Sequence, residues 1–238
     1  MIVSIHQPHY FPWVGYFDKI AKSDIFVLLD EVQLEKGSQM LRNRVLDNNG
    51  DIKYIKISAD TKNFLNKSYN EILTKNIEGW TLKQKNALQN YYRKADSYKE
   101  VYPVFDEFLS KEYALVCDWV IESIKVINNL LGINTPMIKQ SEIKYDHTQR
   151  KSDLVYSICK ALDADTYLSG RGASMDYLDK GKFADNGIKI DFQNFVHPIY
   201  AQCNTDEFVK GISIIDMLFN CGIAKTKELF WKSVLESR

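Results

Sequence analysis

The stretch IVSIHQPHYFPWVGYFDKIAKSDIFVLLD, residues 2–30, decides the fold. Ile2 to Ile5 is a short apolar run and reads as a buried strand. Pro8 and Pro12 bar regular structure across the next segment, because proline lacks the N–H and restricts the residue before it. From Val14 the spacing turns helical: Val14, Phe17, Ile20 and Ala21 fall on one face, and Ser23-Asp24 ends the helix. Ile25 to Leu29 is a second continuous apolar run. Strand, short helix and strand within about thirty residues make a βαβ unit, whose two strands are parallel and buried on both faces. The expected class is therefore α/β, a parallel sheet with a Rossmann-like N-terminal βαβ unit.

Working outward, Asn48-Asn49-Gly50-Asp51 is a turn signal between Val45-Leu46 and Tyr54 to Ile57, which predicts a hairpin. Thr61 to Ser68 reads as a polar loop, and a strand is expected to resume at Ile72. Residues 81–132 read as a helical insertion: Thr81 caps a first helix running to Tyr92 or Arg93, Tyr102-Pro103 opens a second, and Leu115 to Leu131 forms a third that stops at Gly132. Met137 to Ile143 is strand-like. Ser152 to Leu162 is a helix, Thr166 to Ser169 a strand, Ile188 to Phe195 a strand, and Ile212 to Phe219 a helix ending at Cys221-Gly222. The expected organisation is one globular unit, with an α/β core at 1–80 and 133–222, the insertion at 81–132, and a polar, helical tail at 223–238.

Composition narrows the function. Lys plus Arg and Asp plus Glu balance at 31 each, so no net field draws the chain to DNA or to an anionic membrane. A hydrophobic fraction of 45% is enough to bury a full core. The four cysteines, Cys117, Cys159, Cys203 and Cys221, form no C-x-x-C pair, which fits a reduced, cytoplasmic setting. No apolar run reaches membrane-spanning length, and Pro8, Pro12 and His6 interrupt the N-terminus at once, unlike a signal peptide.

Four constellations can carry chemistry. The first is His6-Gln7-Pro8-His9-Tyr10-Phe11-Pro12-Trp13, a loop that follows a parallel strand at the carboxyl edge, where open α/β sheets bind ligands. The alternative is an aromatic plug closing the sheet. The second is Asp30-Glu31 with Gln33, Lys36 and Arg42-Asn43-Arg44. Asp30 ends the strand beside the His6 loop and is expected to orient His6 or accept a proton. Arg42 and Arg44 alternate about Asn43, so both point one way and suit a phosphate or carboxylate, or else form a solvated hairpin face. The third is Ser169-Gly170-Arg171-Gly172-Ala173-Ser174, where converging backbone N–H groups and Arg171 can dock an anion, although the run matches no Walker or dinucleotide pattern. The fourth is His197-Pro198-Ile199-Tyr200-Ala201-Gln202, with His197 read either as a site residue or as a satisfied structural histidine. The histidines have no metal-ligand spacing, so no metal is expected, and His147 reads as a surface residue.

These residues resemble the WbqC-like family of bacterial O-antigen and capsule gene clusters. The resemblance runs from Ile2 to Gly222. It rests on Gln7-Pro8, Tyr10, Pro12-Trp13, Gly15-Tyr16-Phe17, Phe26 to Asp30, Arg42-Asn43-Arg44, Tyr167 to Gly170, His197 with Tyr200 and Gln202, and Ser213 to Asp216 with Asn220 and Gly222. It implies a transferase of lipopolysaccharide and other surface-polysaccharide biosynthesis, acting before export, with a proposed role in moving an aminoacyl group, glycine in particular, onto an amino sugar. The segment is also similar, more weakly, to the nucleotidyltransferases and synthetases with the HIGH signature. Trp13-Val14-Gly15-Tyr16 stands where that superfamily has His/Thr-x-Gly-His, without either signature side chain. In that variant His6 or His9 replaces the histidine, Ser169 to Ser174 acts as the second phosphate loop, and ATP with magnesium is the cofactor.

The leading expectation is an N-acyltransferase acting on a nucleotide-linked amino sugar with an acyl or aminoacyl donor, to which no cofactor is assigned, ATP with magnesium being the candidate. Its catalytic residues are His6 as base, Asp30 as orienting partner and His9. Arg42, Arg44 and Arg171 bind phosphate, Gln7 and Tyr10 contact the acyl group or sugar, and Trp13, Asn43, Ser169, Gly170, His197 and Tyr200 complete the binding set. The alternatives are an ATP-dependent nucleotidyl or adenylyl transferase and a non-catalytic scaffold for polysaccharide assembly. The oligomeric state stays open, with a homodimer among the options.

Overall fold

A computed structural model describes the chain except for Lys36, Asn63, Ala173, Asn204 and Arg238. The N-terminal unit forms as its sequence dictates: β1 (Ile2–His6), α1 (Val14–Ala21) and β2 (Ile25–Leu28). β1 and β2 pair in parallel, with Val3 opposite Ile25 and His6 opposite Leu28. The sheet is completed by β5 (Met137–Lys139), β6 (Thr166–Ser169) and β7 (Lys189–Phe192), and its order β5-β2-β1-β6-β7 is parallel throughout. β3 (Arg42–Leu46) and β4 (Ile52–Lys56) form the expected antiparallel hairpin as a separate two-stranded sheet.

Alternation along the strands sets the two faces. Val3, Ile5, Val27 and Tyr167 pack with Leu154, Val155 and Ile158 of α5 (Lys151–Ala161) and with Phe183 of α7 (Lys180–Asp185), which follows the short α6 (Ser174–Tyr177). Phe26 and Leu28 face the other way, into a larger core shared by α1, the hairpin, α2 (Ile77–Tyr92), α3 (Tyr98–Phe108), α4 (Val116–Leu131) and α8 (Ile214–Glu236). The chain is thus a three-layer α/β fold with the sheet buried on both sides. Helices α2 to α4 share one apolar core with the β1–α1–β2 unit. No helix among the described residues is long and apolar enough to cross a membrane.

Local expectations failed where capping and propensity rules met tertiary pairing. Ile72 does not resume a strand: Tyr69–Glu71 is a 3₁₀ turn, and pairing reduces to isolated bridges such as Leu73 to Leu115. Thr81 does not cap α2, which starts at Ile77; Thr81 lies one turn inside, and its hydroxyl donates to the Ile77 carbonyl at 2.9 Å. Pro103 lies inside α3, whose first residue is Tyr98. Met137 to Ile143 is strand only to Lys139 and then turns as a 3₁₀ segment, Gln140–Glu142. The tail is helical, and Gly222 (φ +78°) kinks α8 where the sequence predicts a stop.

Candidate functional site

The chain crosses from β1 to β2 and β5 on one side, then returns through α5 to β6 and β7 on the other. The strand order therefore reverses between β1 and β6, and a crevice outside the carboxyl ends at such a switch point is where open α/β sheets take ligands. A cleft of about 480 Å³ lies there. Its lining comes from His6 at the end of β1, from Trp13, Gly15, Tyr16 and Lys19 at and within α1, from Gly170, Arg171 and Gly172 after β6, and from Gln193, Asn194 and Phe195 after β7.

The loop that feeds α1 is held rigidly. Phe11 adopts a left-handed backbone (φ +38°), which costs about 1–3 kcal/mol for a non-glycine residue and needs outside support. That support is explicit: the Ser213 hydroxyl donates to the Phe11 carbonyl at 2.8 Å, Asn43 Nδ2 donates to the same carbonyl at 2.9 Å, and the Phe11 N–H donates to Ser123 Oγ at 3.2 Å. Trp13 then lies across the first turn of α1. A Cβ at Gly15 would sit 2.3 Å from the Trp13 ring, so only glycine admits that ring here.

His6 is half-buried, and its Nδ1 donates to the Gln7 carbonyl at 2.9 Å. That bond fixes the tautomer and leaves the Nε2 lone pair without a hydrogen-bond partner among the described residues. Burial, then the adjacent His9 and Lys19, hold the imidazole well below its ordinary pKa, so it is neutral at pH 7. His9 packs edge-on against His6 with ring centroids 4.6 Å apart, and burial followed by Lys19 lowers its pKa to about 4. Tyr16 closes the aromatic wall, 5.0 Å from His6, and its hydroxyl donates to the Gln7 carbonyl at 3.0 Å.

Lys19 is the residue that sequence reasoning missed. It is 3% exposed, lines the cleft, and donates from Nζ to the Ile5 carbonyl at 2.9 Å, with no carboxylate partner among the described residues. Burial alone brings its pKa from 10.5 down to about 7. The signal was a charged pair, Asp18-Lys19, inside an eight-residue crossover between two buried strands, where no face is left for solvent. Asp18 is satisfied separately, by Lys22 Nζ at 2.8 Å and Gln193 Nε2 at 2.6 Å.

Arg171 is exposed at the rim. Its Nε donates to the Gln193 carbonyl at 3.0 Å, and the rest of the guanidinium is in no ion pair among the described residues. A Cβ at Gly170 or Gly172 would meet nothing within 4 Å, so both glycines border open space. The cleft thus unites His6, Trp13, Gly170 and Arg171 of the expected set with Lys19, Tyr16 and Gln193.

His9 does not line the cleft, and most of the other expected residues have their polar groups engaged elsewhere. Asp30 does not meet His6: its carboxylate accepts from Ser141 N (3.0 Å), Ser141 Oγ (2.6 Å) and Asn70 Nδ2 (3.3 Å). Arg42 and Arg44 do share a strand face, but Arg42 lies over the Tyr54 ring and donates to Gly37, and Arg44 donates to the Gly211 carbonyl at 2.8 Å. Asn43 is a buried clamp on the Tyr10 and Phe11 carbonyls. Tyr10 is a core residue, bonded to Gln84 Oε1 at 2.8 Å. Ser169 is buried under its loop and shares a 2.8 Å bond with Ser174. His197 stacks behind Trp13 and donates to the Pro198 carbonyl, while Tyr200 donates to Asp216 at 2.9 Å. Gln7 offers its carbonyl inward, and its side chain does not line the cleft. Lys36 and Ala173 lie outside the described residues.

Fold and site together define an α/β protein with a crevice at the switch point of a parallel sheet. Residues 7–228 match the model of the WbqC-like protein family, and the chain belongs to that family. It is 27% identical over 225 residues to a Mycobacterium tuberculosis (strain ATCC 25618 / H37Rv) protein described as uncharacterized protein Rv1507c, an alignment covering 92% of this chain and 94% of that one. No solved structure matches the chain.

Proposed function

We propose that the chain is an N-acyltransferase that places an acyl or aminoacyl group on the amine of a nucleotide-linked amino sugar, on the cytoplasmic side, in bacterial surface-polysaccharide biosynthesis. The observation that carries this reading is a neutral, tautomer-locked His6 whose Nε2 lone pair is unused, in a cleft rimmed by Arg171. Arg171 and the open backbone at Gly170 and Gly172 suit the diphosphate. The amine attacks the acyl carbonyl while His6 Nε2 takes its proton. The C–N bond forms, the tetrahedral oxyanion is met by the Lys19 ammonium, and collapse expels the donor's leaving group, to which His6 returns the proton. Lys19 keeps two N–H bonds beyond the one spent on Ile5, enough for that oxyanion.

His6→Ala is expected to lower turnover about 10²–10⁴-fold in an assay of acyl transfer to an amino sugar nucleotide. Unchanged turnover removes His6 from the mechanism. A second reading, ATP-dependent nucleotidyl or adenylyl transfer, draws support from the place of the cleft, since switch-point crevices hold nucleotides. Calorimetry with ATP and magnesium separates the two, because heat with ATP alone favours the second. A non-catalytic scaffold gains no support from a cleft lined by His6, Lys19 and Arg171.

A further inference from the structure

The sheet carries a second opening at its carboxyl edge, over β2 and β5 rather than over β1 and β6. This cleft, of about 570 Å³, is bordered by Glu31, Gln33, Lys67, Gln140, His147 and Arg150, and the proposed acyl transfer uses none of them. Helix α5 begins there. Arg150 is its N-cap, no side chain caps it, and Leu154 in its first turns lines the cleft. An 11-residue helix presents partial positive charge and unpaired N–H groups at this end. The acid in its first turn, Asp153, is turned away to Lys182.

Lys67 and Arg150 add two formal charges, neither in an ion pair among the described residues. Arg150 Nη1 donates to two carbonyls of its own turn, His147 and Gln149, which leaves Nε and Nη2 unspent. Glu31, the acid in the lining, is engaged by His147 at 2.5 Å.

An independent observation points to the same place. Gln140 is 4% exposed; its Nε2 donates to the Tyr145 hydroxyl at 2.6 Å, but its Oε1 has no hydrogen-bond partner among the described residues. A buried acceptor without a donor is costly, and the residue that carries this one lines the cleft. The ligand that satisfies all these groups is an anion that also carries a hydroxyl.

We propose that this cleft is a second ligand site, separate from the His6 cleft, for a phosphorylated, hydroxyl-bearing small molecule. Arg150, Lys67 and the α5 N-terminus hold the phosphate, and Gln140 Oε1 accepts from a hydroxyl. The proposal does not depend on the acyl-transfer reading.

The test titrates the full chain with glucose 1-phosphate and with inorganic phosphate by calorimetry, in an Arg171→Ala background that disables the anion group of the His6 cleft. Glucose 1-phosphate is expected to bind. Arg150→Ala and Lys67→Ala are each expected to weaken it about tenfold, the effect of one charge-assisted hydrogen bond. Gln140→Met is expected to weaken glucose 1-phosphate while leaving inorganic phosphate unchanged. Because Gln140 is buried, the two basic positions, which are not, carry the decision if that variant fails to fold. No binding of either probe in the Arg171→Ala chain, or an affinity indifferent to both Arg150→Ala and Lys67→Ala, overturns the proposal.

Discussion

Two polar clusters in this molecule draw on similar side chains. At the carboxyl edge, His6, Lys19 and Arg171 each keep a donor or acceptor unspent. Where α8 begins, Asp216 accepts from Tyr92 (3.0 Å), Tyr200 (2.9 Å) and Gln202 (3.0 Å), and Gln202 in turn accepts from the Val209 N–H at 2.7 Å. The second cluster is closed: its donors meet acceptors, and it ties the loop after β7 to α2 and α8. The first is open towards a cleft. Residue type does not separate a site from a structural knot; hydrogen-bond satisfaction does, because a satisfied group has nothing left to offer a ligand.

Breaking the closed cluster should cost most stability. Asp216→Ala strands two tyrosine hydroxyls and an amide, and should destabilise the fold by about 3–5 kcal/mol in chemical denaturation. Asp216→Asn, which still accepts hydrogen bonds, should cost less; equal costs would mean that charge rather than bonding holds the knot. Burial raises the Asp216 pKa despite its donors, consistent with a tolerated neutral side chain.

The open cluster should respond to pH. Lys19 has a folded pKa of about 7 against 10.5 when unfolded. Between these values the unfolded chain binds the extra proton, so stability should rise with pH from 7 to 10, by about 1.4 kcal/mol per pH unit from this group, whose contribution should flatten below pH 7. Lys19→Met should remove that slope in denaturation midpoints measured at pH 7, 8 and 9, and should lower turnover. A slope that survives in Lys19→Met places the proton elsewhere.

The smallest effects should separate the arginines. Arg171→Ala, at an exposed rim, should leave stability within about 0.5 kcal/mol while weakening binding of the proposed amino sugar nucleotide about tenfold. Arg44→Ala should do the reverse, costing about 1 kcal/mol through the lost Gly211 bond with substrate affinity unchanged. The same response in both would erase the distinction between rim and hairpin.

Much of the frame was legible because local pattern and burial agree. Residues 2–30 gave strand, helix and strand to within a residue, since apolar runs flanked by Pro8 and Pro12 leave few alternatives. The His6 edge and the glycine turn at 170–172 were likewise visible, and they meet in one cleft. Asp30, Arg42, Arg44 and Tyr10 were less legible as to role. A polar side chain near a site in sequence reads the same whether its partner is a ligand or, as for Asp30, the backbone and hydroxyl of Ser141, 111 positions away. Lys19 was hidden by the opposite effect: a lysine on a short helix reads as solvated until the layers on both sides are known.

By itself, then, the sequence determined the parallel βαβ start, the hairpin, the helix ending at Gly132, the break at Gly222 and the sheet edge at which the cleft opens. Only the tertiary structure decided which side chains remain unsatisfied there. Periodicity is a property of neighbours along the chain, whereas hydrogen-bond satisfaction and desolvation depend on groups brought from far along it, such as Ser141 to Asp30 and Gln193 to Asp18, and it is these that leave His6, Lys19 and Arg171 as the groups at the cleft with chemistry to spare.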